Sequence, residues 1–218
     1  MTVEFYLKFA DLASGGVFCT MFIEPHLGGT PAREQAGWIE VICGCMFSGK
    51  TEELIRRLNR AIIAKQKVEI FKPVVDKRYH HENIVSHNEN TIRSTPVNFA
   101  NDIILLAGNC DVVGIDEAQF FDDAIIDVCN FLADNGKRVI VAGLDMDYEG
   151  KPFGPMPQLL AIAEFVTKVH AICAQTGQLA SYSFRLTEDS QRVMLGETGQ
   201  YEARSRTAFL QGMKVKKR

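Results

Sequence analysis

The chain lacks an unbroken apolar run of membrane-spanning length, a surplus of positive charge, and any cysteine pattern that reads as a disulfide framework. A bilayer-crossing helix needs about 20 consecutive apolar residues. Residues 1–22 are only mildly apolar, and Glu4, Lys8 and Asp11 interrupt them. With no basic segment ahead of them, residues 1–36 read as neither signal nor anchor but as an N-terminal extension, and no membrane partner is expected. Gly28, Gly29, Pro31 and Ala32 make its end a flexible lead-in. Lysine and arginine number 24 against 27 aspartates and glutamates, a net charge of −3, which argues against nucleic acid as a partner. The one basic run, Lys214, Lys216, Lys217 and Arg218, reads as a solvated tail over residues 211–218. Cys19, Cys43, Cys45, Cys110, Cys129 and Cys173 are scattered, as suits a reducing cytosol. Repeats and low-complexity tracts are absent, and 218 residues suffice for one well-buried α/β domain with a small appendage.

What the chain does have is Gly44, Cys45, Met46, Phe47, Ser48, Gly49, Lys50 and Thr51, a full match to the phosphate-cradling pattern G-x-x-x-x-G-K-[ST]. Its setting is the required one. Residues 38–43 (WIEVIC) form a short apolar strand before it, and residues 52–65 after it carry Leu54, Ile55, Leu58, Ala61 and Ile62 at helical spacing. A helix start offers unpaired N–H groups and a partial positive charge to an oxyanion. Lys50 would reach the β- and γ-phosphates, and the Thr51 hydroxyl would complete the coordination of Mg²⁺. The metal's carboxylate partner belongs at the end of a neighbouring buried strand. Residues 111–115 (DVVGI) read as that strand and deliver Asp116 and Glu117 at its C-terminal edge. Asp116 suits the metal, leaving Glu117 as general base for an attacking hydroxyl or water. The alternative is a solvated acidic pair before a helix that starts near Asp122 and Asp123. No N-K-x-D or T-K-x-D segment is present, which weakens a GTPase reading.

Strands and helices then alternate. A strand is expected at residues 68–72, a helix at 99–107, and an apolar helical stripe at Ala124, Ile125, Val128, Phe131 and Leu132, stopped by Asn135 and Gly136. Residues 138–142 read as a strand, 157–165 as a helix and 166–172 as a further strand. Such alternation argues a mostly parallel sheet with helices on both faces. Residues 76–96 are polar and read as a loop or exposed hairpin, and their histidines have no metal-ligand spacing. Beyond Cys173 the pattern breaks into glycines and short strand-like pieces such as 181–186, so a small second lobe is expected over residues 173–210, after a nucleotide-binding domain at 37–172.

With these motifs in place, the chain resembles the cytosolic type II thymidine kinases from about residue 40 to residue 209. The resemblance is carried by G-x-M-F-S-G-K-T at the glycine loop, F-K-P with Asp76, Arg78 and Tyr79, Ser86-His87, G-I-D-E-A-Q-F-F ending at Phe121, G-L-D-M-D-Y ending at Tyr148, K-P-F-G-P-M-P ending at Pro157, and Y-E-A-R at the end of the lasso region. It implies a P-loop, RecA-like α/β fold with a C-terminal lasso lobe. It also implies transfer of the ATP γ-phosphate, with Mg²⁺, to the 5′-hydroxyl of thymidine or deoxyuridine. Catalysis would fall to Glu117, Lys50 and Arg78, the last otherwise readable as a solvated loop charge. The nucleotide would be held by Gly44, Met46, Phe47, Ser48, Gly49, Lys50, Thr51 and Asp116, with Thr51 and Asp116 on Mg²⁺. Met46, Asp76, Gln119, Phe120, Tyr148, Ser183, Gly196 and Tyr201 would meet the nucleoside. Tyr148 stands where many members carry phenylalanine. The family further implies a cytoplasmic homotetramer inhibited by dTTP.

Two departures stand out. Most relatives hold a structural zinc with two C-x-x-C pairs, whereas here Cys173 is followed by Thr176, Ser205 and Ala208 at the matching places. One thiolate does not build a closed tetrahedral site, so a zinc-ribbon-like lobe without zinc is expected. The other is Cys45 inside the glycine loop, readable either as a reagent-sensitive thiol or as a buried inert one.

Overall fold

The computed structural model describes residues 36–74, 83–84, 92–186 and 200–216. Six parallel strands form the central sheet in the order β5-β2-β6-β7-β1-β8: β1 Trp38–Cys43, β2 Val68–Pro73, β5 Thr95–Val97, β6 Val112–Ile115, β7 Arg138–Gly143 and β8 Phe165–Lys168. Its inner strands are buried on both faces and therefore read as apolar runs rather than alternations. Helix α1 (Lys50–Ile63) covers one face with Leu54, Ile55, Leu58 and Ala61 against Ile42, Ile70, Val112, Ile140 and Ala142. Helices α2 (Asp102–Leu106), α3 (Ala124–Asp134) and α4 (Met156–Ile162) cover the other, where Ile103, Ile125, Leu132 and Leu159 meet Ile39, Val41, Val113 and Val139. Each fully buried aliphatic side chain of this kind contributes about 1.5–3 kcal/mol.

Strand β1 alternates between the two cores, which turns Glu40 toward α1 together with Ile42. Glu40 is fully buried and accepts from Arg57 Nη1 at 2.8 Å and Arg138 Nε at 2.6 Å. Arg57 also donates to Glu53 on its own helix and to Thr167 on β8. Four elements are thereby clamped under the glycine loop by charges whose partners are complete, the condition under which a buried ion pair is tolerated.

The expected elements at 38–43, 68–72, 111–115 and 138–142 appear with edges shifted by a residue or so. Three regions differ. The polar segment expected as a loop or exposed hairpin does contain a two-residue antiparallel pair, β3 (Asn83–Ile84) with β4 (Ile92–Arg93), but it ends in a strand that was not expected, β5, which joins the main sheet beside β2. The single strand expected at 166–172 is two. β8 ends at Lys168, and β9 (Ala171–Ile172) pairs instead with β10 (Leu179–Ala180) outside the main sheet. After β11 (Tyr182–Arg185) and β12 (Tyr201–Arg204), residues of the supposed tail belong to helix α5 (Arg206–Lys216). Phe209 of α5 stacks on Tyr182 at 4.5 Å between ring centroids, and Lys216 Nζ donates to the Arg185 carbonyl. No described helix is long and apolar enough to cross a membrane.

Candidate active site

The glycine loop leaves the C-terminal end of β1 and enters α1 through Gly49, whose φ of 83° is left-handed and therefore suits a residue without Cβ. Gly44 is held by space as well: a Cβ there would lie 2.3 Å from the Val169 carbonyl. Ser48 Oγ and Lys50 Nζ both donate to the Cys45 carbonyl, at 2.7 and 2.8 Å. The ammonium that a phosphate would attract is thus folded onto its own loop, within a turn of the helix N-terminus.

Strand β6 brings Asp116 to the same end of the sheet, and α1 lies close enough that a Cβ on Gly114 would meet Leu58 Cδ1 at 2.8 Å. Thr51 Oγ1 donates to Asp116 Oδ2 at 3.2 Å. Burial, reinforced by the neighbouring Glu117 charge, raises the Asp116 carboxyl from its ordinary 3.8 to about 7. A buried carboxylate facing a hydroxyl, with so much to gain from a cation, is a donor set that fits Mg²⁺. Glu117 follows at φ 53°, ψ 39°, a left-handed conformation rare for a side chain with Cβ, and is exposed rather than buried. The backbone reversal sends two successive carboxylates to different environments. Gln119, in the 3-10 turn Ala118–Phe120, is buried and donates from Nε2 to Glu117 Oε2 at 2.5 Å.

The expected nucleoside side chains fall into linked groups. The Met46 N–H donates to Ser183 Oγ at 3.0 Å, so the glycine loop is tied to β11. Two residues along β11, Arg185 lies over the Tyr148 ring at 3.8 Å and donates to Tyr201 Oη at 2.9 Å. Phe120 meets Phe153 edge to face at 5.5 Å. Asp76, Arg78 and Gly196 lie outside the described residues. Arg185 was missed from the sequence: a lone arginine in a short strand carries no sign that two aromatic side chains converge on it.

The thiol inside the glycine loop is buried. Cys45 is buried among Ala171, Cys173, Ala180, Ala203 and Ala208, its Sγ donates to the Ala180 carbonyl at 3.3 Å, and burial raises its pKa. The four positions where relatives hold zinc do meet, but as a thiol, two hydroxyls and a methyl. Thr176 Oγ1 and Ser205 Oγ are hydrogen-bonded at 3.3 Å, and the Ala208 N–H donates to the same Ser205 Oγ. Burial pushes the Cys173 thiol up, yet the Thr176 hydroxyl and the N–H groups of Ser205, Gln175 and Thr176 outweigh it and bring it down to about 6. Among the described residues no group of three or more His, Cys, Asp or Glu side chains is placed to hold a metal. This donor set does not fit structural zinc.

Residues 37–209 match the family model described as "Thymidine kinase". The thymidine kinase of Rhodothermus sp. is 63% identical over 173 residues, covering 79% of this chain and 81% of its own. That of Bacteroides thetaiotaomicron is 58% identical over 190 residues, 87% of this chain and 94% of its own. That of Bacteroides fragilis (strain YCH46) is 59% identical over 189 residues, with the same shares. The chain belongs to the thymidine kinase family.

Proposed function

We propose that this chain transfers the γ-phosphate of ATP to the 5′-hydroxyl of thymidine, and of deoxyuridine, giving the nucleoside 5′-monophosphate and ADP. The observation that carries the reading is the pairing of a buried Asp116 on Thr51 with an exposed Glu117 one residue later. The donor phosphates would lie in the loop from Gly44 to Thr51, at the N-terminus of α1, with Lys50 released from the Cys45 carbonyl onto them. Mg²⁺, when bound by Thr51 and Asp116, neutralises charge on the phosphate oxygens. Glu117 accepts the proton of the 5′-hydroxyl as that oxygen attacks the γ-phosphorus and the bond to the bridging oxygen breaks, leaving ADP. Arg78 would add positive charge at the transferring group, and Asp76 and Gly196 would complete the nucleoside contacts made by Met46, Phe120, Tyr148, Ser183 and Tyr201.

A cytoplasmic homotetramer inhibited by dTTP is part of the proposal. Phe99, Leu105 and Leu106 expose large apolar surface around α2, of the kind subunit contacts cover. ADP release measured across a nucleoside panel tests the reaction. Release with thymidine and deoxyuridine but not deoxycytidine is expected; nucleoside-independent or DNA-stimulated release overturns it.

A further inference from the structure

The geometry points to Gln119 as a positioning residue for Glu117 rather than a contact to the nucleoside; this rests on Glu117 being the base. The amide has no freedom of orientation. The Leu144 backbone N–H donates to Gln119 Oε1 at 2.9 Å, and since a backbone N–H only donates, the acceptor end of the amide must face it. The NH₂ end is thereby aimed at Glu117 Oε2, 2.5 Å away. Leu144 follows directly on β7, the strand between β6 and β1 in the sheet, so the carboxylate is referred to the rigid sheet end through one side chain.

The surroundings fix that side chain. Gln119 is 2% exposed. At Gly143 a Cβ would lie 2.6 Å from Met156 Sδ and 3.0 Å from Gln119 Oε1, and at Gly154 it would lie 2.3 Å from the Gln119 carbonyl oxygen. Two glycines thus make room for residue 119 and leave little for a substrate beside it. Glu117 needs this anchor. It is exposed, and its backbone is left-handed, so its own packing does not determine where the carboxylate points. A base displaced by about an ångström loses on the order of a hundredfold in rate.

Steady-state kinetics of Gln119→Met, Glu117→Gln and the double variant, varying thymidine and MgATP separately, test the assignment. For Gln119→Met, kcat falls about ten- to a hundredfold while both KM values stay within about twofold. In the double variant the second change adds little to Glu117→Gln, because the residue being positioned is gone. A raised thymidine KM with kcat retained, or losses that multiply in the double variant, overturns the positioning role. Full activity in Glu117→Gln overturns the base assignment and the proposal with it, a different result from loss in Glu117→Gln beside unchanged kcat in Gln119→Met. Where Gln119→Met does not fold, Gln119→Glu, which keeps the shape and the acceptor for Leu144 but sets a second carboxyl against Glu117, should shift the acid limb of the kcat–pH profile upward with both KM values held, and an unmoved profile overturns the positioning role.

Discussion

The backbone N–H of Met46 donates to the hydroxyl of Ser183 at 3.0 Å, which ties the glycine loop to β11. The glycine loop and β11 are therefore not independent. Removing the hydroxyl leaves a loop N–H without its partner, a loss of about 1–3 kcal/mol where the group is buried. Ser183→Ala is expected to raise the thymidine KM about tenfold with little change in kcat, measured by initial rates at saturating MgATP.

The buried carboxyl of Asp116 gives a pH dependence with a definite sign. Asp116 titrates near 7 in the fold against 3.8 in the unfolded chain, so between these values the folded state binds more protons. Its penalty is absent below pH 3.8, grows through the window and is complete above about 7. Stability of the nucleotide-free, metal-free protein should fall across that range by more in the wild type than in Asp116→Asn. Thermal midpoints at stepped pH would show it, with MgATP restoring only the wild type.

Much of this was legible in the chain, for reasons that differ from place to place. Strands β1, β6 and β7 are continuous apolar runs bounded by turn residues, and the glycine loop names its ligand by its residue types, so the core and the donor site follow directly. Strand β5 does not announce itself, because three residues with Pro96 in the middle read as loop; at the sheet edge the missing N–H costs nothing. The run 166–172 carries no information on partners, and only tertiary pairing divides it. Helix α5 buries little beyond Ala208 and Phe209 and contains Gly212, where a Cβ would come within 2.2 Å of Arg204 Nη1. Arg185 between Tyr148 and Tyr201 joins segments far apart in the chain, which no local pattern encodes.

At the four positions that the resemblance assigns to zinc stand a thiol, two hydroxyls and a methyl. Extensive chelation, with Mg²⁺ restored before assay, should leave both activity and thermal midpoint unchanged, and stoichiometric zinc in chelator-washed protein would count against this. Because the Cys173 thiol lies near 6 in the fold and 9.0 when unfolded, its stabilising thiolate is fully present above pH 9 and is lost as pH falls through about 6. The midpoint difference between wild type and Cys173→Ala should accordingly widen from pH 5.5 to pH 9.

Beneath the loop, Glu40 compensates Arg57 and Arg138 together. Glu40→Gln leaves two buried guanidinium groups short of charge, and breaking such a pair costs about 3–5 kcal/mol. Urea unfolding should show a lower midpoint at an unchanged m-value.

The most direct measurement follows the phosphate itself. In a single turnover with γ-labelled ATP, Mg²⁺ and thymidine, wild-type protein should move the label into thymidine 5′-monophosphate. Glu117→Gln should do so about a hundredfold or more slowly while still binding both substrates. Label released as inorganic phosphate whether or not thymidine is present, or transfer equally fast in both proteins, would contradict phosphoryl transfer to thymidine with Glu117 as the base.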